Sequence, residues 1–137
     1  MASKYDIYSK LIKLGASKYS VVPEYGVAIN SKRIKAIDLV WASTHEDGTY
    51  TPEYCFEIEG ANVPIETDKG LRRHINDFSS PKFDNTKNVL ILYTKGDGIR
   101  KWDEKNYSTQ VQRRRDWAEK NNARFEVWTY DDLDMNL

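Results

Sequence analysis

The segment Asn88-Val89-Leu90-Ile91-Leu92-Tyr93-Thr94 is a near-continuous apolar run. Such a run is the pattern of a strand covered on both faces of a sheet. Downstream, Gly96-Asp97-Gly98 reads as a turn, Ser108–Asn121 as a helix and Phe125–Tyr130 as a last strand. A strand, a helix and a further strand need a crossover, so these two strands should lie parallel. Upstream, Pro81–Asn85 reads as a loop and Thr67–Phe78 as a helix, with Thr67 as cap and Leu71, Ile75 and Phe78 on one face. Before that helix come Tyr54–Glu59, ended by Gly60, Asn62 and Pro64, and Lys35–Trp41, with a turn at Thr44–Gly48 between them. Shorter β-like stretches surround Tyr19–Val22 and Gly26–Ile29, with Pro23 between them and a turn at Asn30-Ser31. The chain opens on a helix: Ser3 and Asp6 form a capping box, Tyr5, Tyr8, Leu11 and Ile12 follow helical spacing, and Gly15 is a natural stop. Early strands joined by short turns should pair antiparallel. The expectation is an α/β fold, a mixed β-sheet flanked by helices.

Composition sets the bounds. The 137 residues correspond to a single domain spanning 1–137. Lys and Arg total 21, as do Asp and Glu, so the whole chain is not a polyanion magnet, although a basic face offset by an acidic pocket is compatible with that balance. Four Trp, nine Tyr and four Phe supply a core, which separates the chain from disordered sequences. The longest apolar runs fall far short of the roughly 20 residues that span a bilayer, so no membrane segment is expected. Met1–Asp6 lacks the apolar region of a signal peptide, and the single Cys55 can form neither an internal disulfide nor a cysteine zinc cluster. These features suit a soluble protein of a reducing compartment, the cytoplasm. Cys55 itself reads as a buried small hydrophobe.

The anomaly is Asp38, in the apolar strand Ile37-Asp38-Leu39-Val40-Trp41. Aspartate is depleted in strands and expensive to bury unpaired. Either Asp38 sits in water or pairs with Arg33 or Lys35, or it serves chemistry. In Phe56-Glu57-Ile58-Glu59, alternation puts Glu57 and Glu59 on one face. Alone, that is how any half-exposed strand reads. If the two strands pair, however, three carboxylates converge and repel unless a cation is bound. Hard oxygen ligands suit Mg²⁺ or Mn²⁺, and a cation with open positions is the equipment for phosphodiester hydrolysis.

Ile37-Asp38-Leu39-Val40-Trp41 followed by Phe56-Glu57-Ile58-Glu59-Gly60 resembles the PD-(D/E)xK nuclease superfamily, the restriction-endonuclease-like fold, in a variant with a D…ExE motif. The resemblance runs from about Glu24 to Thr94 in the order of elements. It implies a metal-dependent DNA endonuclease of restriction or repair type, with Asp38, Glu57 and Glu59 catalytic. It also implies a metal held by Asp38, Glu57 and the main-chain carbonyl of Ile58. An upstream Glu24 would complete the acidic site. The chain departs from the pattern twice: no Pro precedes Asp38, and Glu59 stands where the superfamily usually has Lys. Lys69 or Arg73 on the following helix would then supply the missing positive charge.

Double-stranded DNA is the implied partner. Arg72, Arg113 and Arg114 are the residues that would meet its phosphates; the same clusters also read as solvated helix faces, with partners such as Glu119. His74 and His45 have no second histidine at ligand spacing and are taken as non-metal residues. With little room beyond a catalytic core, sequence recognition would need a homodimer or a companion DNA-recognition domain. The alternative is a catalytically inactive module of the same fold that binds DNA or a protein partner, which the absent Lys and zero net charge favour.

Overall fold

A computed structural model of the chain describes residues 3–30, 33–60, 74, 75, 77–93 and 104–135. Five strands, β1 (Ser20–Asn30), β2 (Arg33–Thr44), β3 (Tyr50–Gly60), β4 (Lys87–Tyr93) and β5 (Phe125–Trp128), form one sheet in sequence order. The pairs β1–β2 and β2–β3 are antiparallel, whereas β3–β4 and β4–β5 are parallel. The helices are α1 (Lys4–Ala16), α2 (Glu104–Lys120) and the short α3 (Asp132–Met135), with a 3₁₀ turn at Pro81–Phe83. The protein is thus α/β, with a mixed sheet flanked by helices. No helix among the described residues is long and apolar enough to cross a membrane.

The alternation of β2 and β3 sorts two cores. On one face Val40, Ala42, Cys55, Leu90, Leu92, Phe125 and Val127 meet Phe78, Phe83 and, from α2, Val111 and Ala118. On the other, Leu39, Trp41, Phe56, Ile58, Val89, Ile91 and Trp128 meet Ile7 and Leu11 of α1 and Leu133 of α3. Asp38, Glu57 and Glu59 belong by alternation to the first face, beneath α2 and the helical residues His74, Ile75 and Asp77. The remainder of the expected 67–78 helix lies outside the described residues.

Several elements differ from their expected limits for physical reasons. The stretches on either side of Pro23 form one strand. β1 is an edge strand, where the missing N–H of proline costs no ladder bond. β5 stops at Trp128 because Asp132 takes the Thr129 N–H at 2.8 Å, starting the unforeseen α3. The capping box is present as read: Asp6 N–H donates to Ser3 Oγ and Ser3 N–H to the Asp6 carboxylate. Gly15 is not the end of α1. The helix runs on to Ala16, and Gly15 is buried under the Trp41 indole, whose Nε1 donates to the Leu11 carbonyl at 2.9 Å.

A Cβ at position 15 would overlap the Trp41 ring itself. Gly15→Ala should therefore destabilise the protein by about 1–3 kcal/mol despite the higher helix propensity of alanine, since overpacking outweighs a gain of about 1 kcal/mol. Urea denaturation checks this: a stability equal to or above wild type would mean that α1 can lift off the sheet without cost.

Candidate metal centre

The site begins where the β2–β3 ladder ends. Leu39 pairs with Phe56, so continuing the register sets Asp38 opposite Glu57. There the ladder bonds pass to side chains. The Ile58 N–H donates to Asp38 Oδ2 at 2.8 Å, and the Asp38 carbonyl accepts from the Tyr8 hydroxyl at 2.5 Å. Asp38 is neither stranded in a core nor left wholly to water. It is half-buried, and its carboxylate terminates the strand pairing. A strand residue directs its N–H and C=O to the same side, so the carbonyl of Ile58 also opens towards β2.

Glu57 is 3% exposed. Burial pushes its carboxyl up to about 9, helped by the negative charge of Asp38 and by a hydrogen bond between the two carboxyl groups; the Lys35 charge opposes the rise. In the metal-free protein Glu57 therefore holds its proton more tightly than a solvated carboxyl does. The Glu57 Oε1 atom is buried without a hydrogen-bond partner, as is Nδ1 of His74. His74 Nδ1 lies 3.7 Å from Asp77 Oδ2. Ligand atoms of Glu57, His74 and Asp77 lie within 4.8 Å of one another, and all three residues are buried. Donors at about 2.0–2.4 Å from a shared cation span a similar distance. These three side chains can hold a metal ion.

Glu59, one pleat further along, faces two donors instead. His74 Nε2 donates to its Oε1 at 3.2 Å and Arg114 Nε to its Oε2 at 3.4 Å. Burial alone would raise the Glu59 carboxyl. The His74 hydrogen bond, with the charge and hydrogen bond of Arg114, outweighs burial and holds it below the usual carboxylate range. Arg114 is wholly buried, with Nη1 on the carbonyl and side-chain oxygen of Gln110, both at 3.2 Å. This corrects the expectation that Arg114 faces DNA: its guanidinium is enclosed between α2 and the sheet and engaged by Glu59.

Glu24 sits between Pro23 and Tyr25, which pair with Leu39 and Ile37, so it stands level with Asp38 across β1. It is exposed and adopts φ 51, a left-handed conformation that disfavours a residue with a Cβ. The Tyr8 hydroxyl is raised by burial first and then by the charges of Glu24, Asp38 and Glu57. Among the other residues read from the sequence, Arg113 is exposed on α2. Arg115, not expected to be tied down by main chain, donates from Nε to the Val127 carbonyl at 3.0 Å and from Nη2 to Asp132 at 2.8 Å rather than pairing with Glu119. Lys69, Arg72 and Arg73 lie outside the described residues.

His74 and Asp77 do not emerge from a search of the sequence for a second histidine. The available signal was their i, i+3 spacing, which sets both on one helix face. No family model matches the chain, and no curated protein or solved structure matches it either.

Proposed function

We propose that the protein is a divalent-metal-dependent endonuclease with a restriction-endonuclease-like core, hydrolysing phosphodiester bonds in double-stranded DNA with Mg²⁺ or Mn²⁺. The observation that carries the reading is the half-buried Asp38 joined to the buried Glu57, which keeps one oxygen unpartnered and shares a metal-sized cluster with His74 and Asp77. The unpartnered Glu57 Oε1 and His74 Nδ1 are donor atoms that a cation would engage. A bound divalent cation would supply water activation and charge neutralisation at phosphorus.

The chain's own residues do the rest. Asp38 is oriented by the Ile58 N–H on its Oδ2. Glu57 must give up the proton that burial favours when the site is loaded, which brings carboxylate charge to the cation. Glu24, level with Asp38 and exposed, presents its carboxylate at the outer rim. Lys35, whose charge reaches Glu57, supplies positive field on the strand that carries Asp38. Exposed Arg113 offers a phosphate contact, and sequence recognition falls to a homodimer or a companion domain.

Incubating supercoiled plasmid with Mn²⁺, Mg²⁺ or EDTA tests the reading. Nicking should require the cation and be abolished by Asp38→Ala, with the circular dichroism spectrum unchanged. Equal nicking by Asp38→Ala would assign the activity to another site or a contaminant. A second reading, a module that binds without cutting, is favoured by one observation: position 59 carries no Lys, and Glu59 is engaged by Arg114 and His74. It predicts DNA retention without nicking under every cation.

A further inference from the structure

We propose that His74 is itself a metal ligand through Nδ1, that Glu59 is the positioning residue for that ligand, and that the resulting oxygen–nitrogen donor set makes the site select Mn²⁺ over Mg²⁺. The inference rests on the metal-centre reading above and deepens it. A neutral imidazole carries one N–H and one lone pair. Glu59 accepts from Nε2, so the hydrogen is on Nε2 and the lone pair on Nδ1. That Nδ1 is buried, has no hydrogen-bond partner and lies 3.7 Å from Asp77 Oδ2, in the cluster that Glu57 completes. Metal-ligating histidines characteristically donate their second N–H to a carboxylate, which fixes tautomer and ring orientation. Arg114, wholly buried against the other oxygen of Glu59, keeps that carboxylate ionised and in place.

The chemistry of position 59 follows. A lysine there would point an ammonium donor at Nε2, move the imidazole hydrogen to Nδ1 and remove the lone pair facing Glu57 and Asp77. His74 ligation thus requires an acceptor oxygen at position 59, which Glu59 supplies. Magnesium demands near-ideal octahedral oxygen coordination, whereas imidazole suits the transition metals; Mn²⁺ accepts both donor types.

The test uses the full chain, MnCl₂ and no DNA. Mn²⁺ binding should be tenfold or more tighter than Mg²⁺ binding in competition. Pulsed electron paramagnetic resonance should show ¹⁴N coupling from a directly bound imidazole. The chain has two histidines, so the assignment is clean. The coupling should persist in His45→Gln and vanish in His74→Gln. In Glu59→Gln, which retains an acceptor oxygen, it should persist with affinity about 10–100-fold weaker. Wild type labelled with ¹⁵N-histidine should replace the ¹⁴N pattern, a readout that needs no variant to fold. Bound Mn²⁺ without nitrogen coupling would overturn the inference and leave an oxygen-only nuclease site standing. Coupling that survives His74→Gln would overturn it as well. Absence of any Mn²⁺ binding would remove both this inference and the metal-dependent reading. Nitrogen-coupled Mn²⁺ in a protein that never nicks plasmid would sustain the inference and dismiss the nuclease.

Discussion

Glu57→Gln should lower metal-dependent plasmid cleavage by about three orders of magnitude or more while making the metal-free protein more stable above neutral pH. The first effect follows from the endonuclease reading proposed above, in which Glu57 is a ligand and the cation is worth several kcal/mol of transition-state stabilisation, at about 1.4 kcal/mol per factor of ten. The second has a definite sign. Burial and Asp38 raise the Glu57 carboxyl from 4.5 to about 9 in the folded state. Between those two values the folded protein keeps a proton that the unfolded chain has released. Stability from this group is therefore full below about pH 4.5 and is lost as pH rises towards 9, at up to about 1.4 kcal/mol per unit. Glutamine has no such proton to lose. The difference between variant and wild type should be small at pH 5 and should reach a few kcal/mol near pH 9, in EDTA. Saturating Mn²⁺ should reverse the order, because it binds the folded wild type and not the variant. Thermal melts at pH 5, 7 and 9, with EDTA or Mn²⁺, read all of this. Cleavage at the wild-type rate by Glu57→Gln would remove Glu57 from the site, and a flat pH response would mean that its carboxyl is solvated.

What could be read from the sequence was what depends on local pattern. The apolar run at Asn88–Thr94 placed the central parallel strand, and the alternation in Phe56-Glu57-Ile58-Glu59 placed both glutamates on one face, as their burial with the α2 side of the sheet shows. Asp38 stood out because a lone carboxylate in an apolar strand needs a reason. The partners of these acids come from far along the chain: Arg114 is 55 residues from Glu59. Nothing in the local pattern of Arg113-Arg114-Arg115 says which arginine turns inward. The three directions differ by about 100°, and only the packing of α2 on the sheet decides that 114 is enclosed while 113 and 115 are not. His74 was legible only once its facing carboxylates were known. Pro23 misled because its cost depends on whether a strand lies at an edge, which is a property of the whole sheet.

Arg114→Ala should destabilise the protein by about 3–5 kcal/mol, a large share of the roughly 5–15 kcal/mol that holds a typical domain folded. The loss comes less from the bond itself than from what remains. Glu59 would stay buried with its His74 bond but without the Arg114 donor, and the Gln110 oxygens would lose the Arg114 Nη1 bond. In wild type the Glu59 carboxyl lies below the usual range, so its stabilising contribution is present above about pH 4.5 and fades as pH falls. With Arg114 gone that contribution shrinks, and the variant should gain on wild type as the solution is acidified. The double variant Arg114→Met/Glu59→Gln should recover most of the loss, because a buried ion pair replaced on both sides by neutral groups of similar volume is often close to neutral. The amide oxygen introduced at position 59 would still accept from His74, so the recovered fold should keep the imidazole oriented. Urea denaturation of wild type, Arg114→Met, Glu59→Gln and the double variant closes the cycle, and duplex binding by the same proteins separates the two roles weighed for this arginine. A phosphate contact would predict weaker DNA binding with unchanged stability and no coupling to Glu59. Enclosure beneath α2 predicts a large coupling energy between 59 and 114 and, in the double variant, duplex affinity equal to wild type.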